Sequence, residues 1–113
     1  MERKRLSGGS QSTRAEEARQ EAIQATSQLL ELMIRALVDH PDDVRITPIT
    51  GSQAVIFEVV VNPEDVRRII GRKGRTADAL RELMTNFGSK ARSRFLLEIM
   101  EPDKRPQPTP RPA

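Results

Sequence analysis

Along this chain the spacing of apolar residues changes from helical to alternating and back. Leu30, Met33, Ile34 and Leu37 recur at i, i+3, i+4 and i+7, which predicts a core-packed helix. Pro41 disfavours helical backbone at His40, so that helix is expected to stop near Asp39. Val44 to Ile49 alternates and contains Pro48, which cannot donate to a ladder; it reads as an edge strand. After a turn at Thr50–Ser52, Gln53 to Val61 ("QAVIFEVVV") is the strongest strand pattern. Val55, Phe57, Val59 and Val61 fall on one face; Ala54, Ile56, Glu58 and Val60 fall on the other.

Asn62 is a good N-cap, Pro63 suits the first helical position, and Glu64 and Asp65 favour the positive end of a helix dipole. The short helix that follows has an apolar stripe of Val66, Ile69 and Ile70 and ends at Gly71. A further helix places Ala77, Leu80, Leu83, Met84 and Phe87 on one face, with Gly88 expected as its C-cap. "RFLLEIM", Arg94 to Met100, reads as a third strand. The predicted order is helix-strand-strand-helix-helix-strand, an α+β domain over residues 29–101. Residues 1–28 are expected to be a disordered or partly helical extension: Met1 to Thr13 reads as a tail, and Arg14 to Gln28 as good helix formers with little to bury. The stretch from Pro102, with five prolines, is expected to be a disordered tail.

Composition narrows the function. The 113 residues contain no cysteine, which excludes disulfides and Cys-based metal sites and suits a reducing cytoplasm. No apolar run approaches the roughly 20 residues of a membrane span. The net charge of +3 is unevenly spread. Leu29 to Asp65 carries two basic and seven acidic residues (−5), whereas Val66 to Arg94 carries nine basic and two acidic (+7). A one-sided positive field suits a polyanionic partner.

That field centres on "IIGRKGRTADAL". Gly71 and Gly74 bracket two cations, Arg72 and Lys73, between two predicted helices. Glycine at both ends lets the chain reverse and lets its backbone approach another molecule. The turn opens onto a helix N-terminus, where unpaired N–H groups favour an anion. Arg75 adds charge beside it. These features favour a phosphate backbone running past the turn.

The stretch resembles the I-G-x-x-G loop of KH domains, and the element order is similar to their type II form. "LMIRALVDHPDDVRI", "VVVNPEDVRRIIGRKGRTADALRELM" and "FLLEIMEP" resemble the small bacterial single-KH proteins of the KhpA (YlqC) family. The resemblance implies a three-stranded sheet packed on helices. It implies single-stranded RNA as the ligand, clamped by Gly71, Arg72, Lys73 and Gly74. Val66, Ile69 and Ile70 would support the loop. Arg75 and Thr76 would extend the phosphate contacts, Ile70 and Leu80 would line a base groove, and Arg67, Arg68 and Arg81 would surround it with positive charge. Ala77 is small for its place, which implies a shallower groove. The resemblance also implies a cytoplasmic post-transcriptional regulator or RNA chaperone, self-association, and pairing with a larger KH/R3H protein.

Other readings are weaker. A helix-turn-helix DNA binder also joins helices by a short glycine turn, but three flanking strands count against it. A protein-interaction adaptor acting by dimerisation would not need Arg72 and Lys73. No catalytic set is visible, so no enzyme and no cofactor is expected. "GRKGRT" lacks P-loop spacing. His40 reads as a cap or surface residue, and the adjacent Asp42 and Asp43 as solvated acids rather than a metal site.

Overall fold

The computed structural model describes residues 7–100. The elements are helix α1 (Ser7–Leu37), strands β1 (Arg45–Thr50) and β2 (Ala54–Val60), helices α2 (Val66–Ile70) and α3 (Arg75–Lys90), and strand β3 (Arg94–Ile99). Short 3-10 turns at Pro41–Asp43, Pro63–Asp65 and Arg72–Gly74 link them. The expected order holds. The proline-rich stretch from Pro102 lies outside the described residues.

The sheet runs in the order β1-β2-β3, so β1 is an edge, as Pro48 requires. β1 and β2 form an antiparallel hairpin with Ile49 opposite Ile56. β3 lies parallel to β2, with Ile56 opposite Leu96 and Glu58 opposite Glu98. A parallel neighbour needs a crossover, and that crossover consists of α2, the glycine turn and α3. The turn is therefore held between two elements anchored to one sheet.

All three helices cover the same sheet face. Val55, Phe57 and Val59 of β2 and Phe95 and Leu97 of β3 meet Leu30, Ile34, Ile69, Leu80 and Met84 in a continuous core. Phe57 and Phe95 pack edge to face, with ring centroids 5.1 Å apart. The alternation expected for β2 is observed residue by residue on this face.

Four expectations change. First, α1 extends to Ser7, through residues expected to be a tail. Helix propagation is cooperative, and the strong helix formers from Arg14 onward carry it. The extension also packs: Ile23 and Thr26, both before the boundary expected at residue 29, are buried. Arg19 donates to the Gly51 carbonyl at 2.7 Å and to Ser93 Oγ at 3.1 Å, tying α1 to the hairpin turn and the start of β3. Second, Leu37, expected on the core face, is the last residue of α1, close to the end expected near Asp39, and lies outside the core. Leu37 is exposed, and Val38, four residues after Ile34, takes its place in the core.

Third, Gly88 is not a C-cap. It is buried inside α3, which continues to Lys90. A Cβ there would lie 2.5 Å from the Ser93 carbonyl oxygen and 2.8 Å from the Phe95 nitrogen, so Gly88 permits α3 to approach β3. The terminus falls instead at Arg92, in left-handed backbone (φ 57). Ser93 N–H donates to Gly88 and Arg92 N–H to Ser89, the two bonds of a Schellman motif. Fourth, Leu83, expected on the apolar face of α3, is exposed; the buried residues of that helix are Ala77, Leu80, Met84 and Gly88.

Candidate nucleic-acid interface

The approach to the turn begins at Asn62. Its Oδ1 accepts from the Glu64 N–H at 2.8 Å, the expected cap, and its Nδ2 donates to Asp43 at 2.9 Å. Three residues on, Asp65 is fully buried. Its carboxylate accepts from the backbone N–H groups of Asp39 and His40, each at 3.0 Å, and contacts His40 Nδ1 at 3.0 Å. Burial pushes the Asp65 carboxyl up, but these donors outweigh it and hold the carboxyl below its ordinary value. The hydrogen bond to Asp65 raises the pKa of His40 despite partial desolvation, with Glu64 and Asp43 adding charge. This clasp joins the segment after α1 to the start of α2, whose far end carries the loop. Sequence reasoning placed Asp65 only at a helix dipole. A bond spanning 25 residues leaves no mark in local pattern.

α2 is one short turn, with Ile69 buried and Ile70 partly so. Gly71 N–H closes it by donating to Arg67 at 2.8 Å, and Gly74 N–H donates back to Gly71 at 3.1 Å. The backbone enters positive φ three times within four residues, at Gly71 (81), Lys73 (56) and Gly74 (76). The two glycines differ in kind. A Cβ on Gly71 would fall 2.3 Å from Thr76 Oγ1 and 2.8 Å from Thr76 N, whereas a Cβ on Gly74 would meet nothing within 4 Å. Gly71 packs against the first turn of α3, and Gly74 faces open space.

Gly74 is the N-cap of α3 and offers no side chain to its first turn. The dipole end of a 16-residue helix therefore opens beside the loop. Arg72, Lys73 and Arg75 are exposed, and none forms an ion pair among the described residues. Thr76 is partly buried against Gly71.

The surrounding residues divide. Arg67 is exposed and forms no ion pair among the described residues. Arg68 is engaged by Asp39 at 3.1 Å, and Arg81 by Asp78 at 3.7 Å. Leu80 is only 5% exposed and belongs to the core, so Ile70 is the more accessible of the two residues expected in a base groove. Among the described residues no group of three or more His, Asp or Glu is placed to hold a metal ion, and no helix is long and apolar enough to cross a membrane.

Two helices joined by a Gly-x-x-Gly turn, crossing between parallel strands of a three-stranded mixed sheet, define a KH domain in its type II order. Residues 27–99 match the model of the family described as "KhpA/KhpB, KH domain". The chain belongs to this family. It is 40% identical over 79 residues to the RNA-binding protein KhpA of Aquifex aeolicus, covering 70% of this chain and all of that protein. The protein of the same name from Clostridium acetobutylicum is 41% identical over 73 residues, 65% of this chain and 97% of its own length. The one from Leifsonia xyli is 48% identical over 62 residues, 55% and 82% respectively. No solved structure matches the chain.

Proposed function

We propose that the chain is a non-catalytic, cytoplasmic RNA-binding protein that grips single-stranded RNA through the Gly71–Gly74 loop. The observation that carries this is the set of exposed cations Arg72, Lys73 and Arg75, without ion pairs among the described residues, around the open N-terminus of α3. Charge, the positive end of the α3 dipole and open space at Gly74 converge on one small area. Phosphate is the group that uses all three. Thr76, Ile70 and Arg67 extend the contact, while Arg68 and Arg81 act at longer range from their ion pairs. The relatives' shared description as RNA-binding proteins supports the choice of ligand. The role that fits is post-transcriptional regulation or RNA chaperoning. One such site reads few bases, so self-association, or pairing with a larger KH/R3H protein, would raise affinity through effective concentration.

The test is Arg72→Asp with Lys73→Asp. Both side chains lie outside the core, so circular dichroism should be unchanged while binding to single-stranded RNA in a gel shift is lost. Unchanged affinity overturns the loop as the clamp. Preferential competition by duplex DNA would favour the helix-turn-helix alternative.

A further inference from the structure

Helix α1 carries two apolar stripes, and the domain covers only one. Ile23, Leu30, Ile34 and Val38 face the core. Ala15, Ala18, Ala22, Ala25, Leu29 and Leu32 form the other, spaced alternately three and four residues apart. That spacing is the 3.5-residue repeat by which one helix receives another. Leu29 is 42% exposed and Leu32 66%; the alanines are exposed too, except Ala22, which is half-buried. Beside the stripe, from Ala15 to Leu29, runs an open groove of about 740 Å³, with Phe87 and Ala91 at the end of α3 on its far side. Residues before 27 lie outside the family match, so the four alanines belong to the extension of α1 beyond the shared domain. A buried hydroxyl marks the groove as a binding site. Thr26 is 7% exposed and lines it, and its hydroxyl has no hydrogen-bond partner among the described residues. A helical threonine can bond back one turn, as Thr85 does to the Arg81 carbonyl at 3.1 Å; Thr26 does not. A buried hydroxyl without a partner is destabilising. The rim is cationic. Lys90 and Arg92 are exposed and form no ion pair among the described residues, Arg19 is held by Gly51 and Ser93, and Glu16 is the one acid lining the groove. Arg92 occupies left-handed backbone at a helix terminus where glycine is the usual residue, so a cation stands there against a conformational cost.

We propose that this groove docks an amphipathic helix of a different protein, one with small and aliphatic residues on a 3.5-residue repeat and acidic residues beside them. The repeat selects a helix. From Ala15 to Leu32 the stripe runs about 25 Å, and alanine lets a second backbone approach closely. Charge selects the partner. A second copy on the same groove would bring a second set of the same cations to the rim, and the stretch from Pro102 carries three cations against one acid. An acidic flank instead pairs with Lys90 and Arg92 and fixes the direction of the incoming helix. A polar group on that helix meets the Thr26 hydroxyl. The Gly71–Gly74 loop lies at the opposite end of α3, 16 residues or about 24 Å away, so docking is independent of RNA binding. Both sites can be filled at once, and the chain then links a second protein to RNA.

Fluorescence anisotropy of a synthetic helical peptide titrated with the full chain tests this. The probe has three heptads, with Leu at a, Ala at d and Glu at e and g; the control peptide has Lys in place of Glu. The glutamate peptide should bind saturably and the lysine peptide at least about tenfold more weakly. Ala25→Arg should abolish binding; Ala25 is exposed and arginine is a good helix former, so circular dichroism should not change. Lys90→Glu with Arg92→Glu should reverse the preference between the two peptides. Thr26→Val should raise the Tm of the free protein, because it removes an unpaired buried hydroxyl, and should weaken peptide binding severalfold. Arg72→Asp with Lys73→Asp should bind the glutamate peptide as wild type does, which keeps failure here distinct from failure of the loop as the RNA clamp. Absence of saturable binding, equal binding to Ala25→Arg, charge reversal or Thr26→Val without effect on binding, or loss of binding in the loop variant overturns the proposal. So does preference for the lysine peptide, or a dimer in sedimentation equilibrium that Ala25→Arg dissociates, since a second copy would then occupy the groove.

Discussion

Replacing each loop glycine by alanine should have opposite consequences for stability and binding, although the two positions look alike in the sequence. Gly71, at φ 81 and ψ 171, occupies backbone open essentially to glycine alone, which costs a side-chain-bearing residue about 1–3 kcal/mol. Its Cβ would also sit 2.3 Å from Thr76 Oγ1, 2.7 Å from Thr76 Cβ and 2.8 Å from Thr76 N. One of those atoms is backbone of α3, so the helix itself must move, an overpacking cost of about 1–3 kcal/mol. Alanine recovers about 0.4–1 kcal/mol by stiffening the unfolded chain. The net loss for Gly71→Ala is about 2–5 kcal/mol. Gly74, at φ 76 and ψ 11, is ordinary left-handed backbone with nothing within 4 Å of a Cβ. The cost there is about 1–2 kcal/mol less the same recovery, or about 0.5–1 kcal/mol net. In a domain of this size about 1 kcal/mol moves Tm by about 4–8 °C. Thermal unfolding should show a fall of at least about 10 °C for Gly71→Ala and only a few degrees for Gly74→Ala. Gel shifts well below both midpoints should show the reverse order, because the space a methyl would fill at Gly74 is where RNA backbone is proposed to lie. Equal Tm shifts, or a larger one at Gly74, would refute the division of labour between the glycines.

Three more outcomes are expected. Gly88→Ala should lower stability by about 1–3 kcal/mol in urea unfolding, since its Cβ meets β3 backbone; a glycine serving only as a C-cap would leave α3 and β3 in register. The Asp65–His40 clasp should make stability depend on pH in two directions. The raised pKa of His40 gives a contribution fully present below about 6.5 and lost as pH rises through the folded-state value. The lowered pKa of Asp65 gives one present above about 3.9 and lost as pH falls through its folded-state value. Wild type should therefore be stabilised most between about pH 4 and 6.5, and His40→Gln should flatten the decline from pH 6 to 8 in denaturation midpoints. RNA affinity measured against salt should give a log–log slope of about −1.4 to −2.8, from two to four phosphate contacts at roughly −0.7 each; a flat response would point to base contacts instead.

What could be read from the chain alone was whatever neighbouring residues decide. The alternation of Val55, Phe57 and Val59, the Asn62–Pro63 start and the Gly-x-x-Gly turn each act within a few residues, and the structure retains each of them. The order of elements follows, because a helix pair between two apolar strands has few ways to return to the sheet. Tertiary structure decided the rest, where partners lie far apart in sequence. Ile23 is the one large apolar residue between Arg14 and Gln28 and finds its place only when the hairpin turn and the start of β3 come against that part of α1, with Arg19 reaching Gly51 and Ser93. Gly88 resembles a helix terminator and becomes a contact point only once α3 lies against β3. Asp65 is a first-turn acid by local rules and a buried acceptor once the end of α1 meets it. Gly71 and Gly74 are equivalent letters in the motif, and the close approach of Thr76 makes one of them structural and leaves the other open. Local sequence sets backbone preference and periodicity, whereas steric exclusion and buried hydrogen bonds exist only after distant segments have come together.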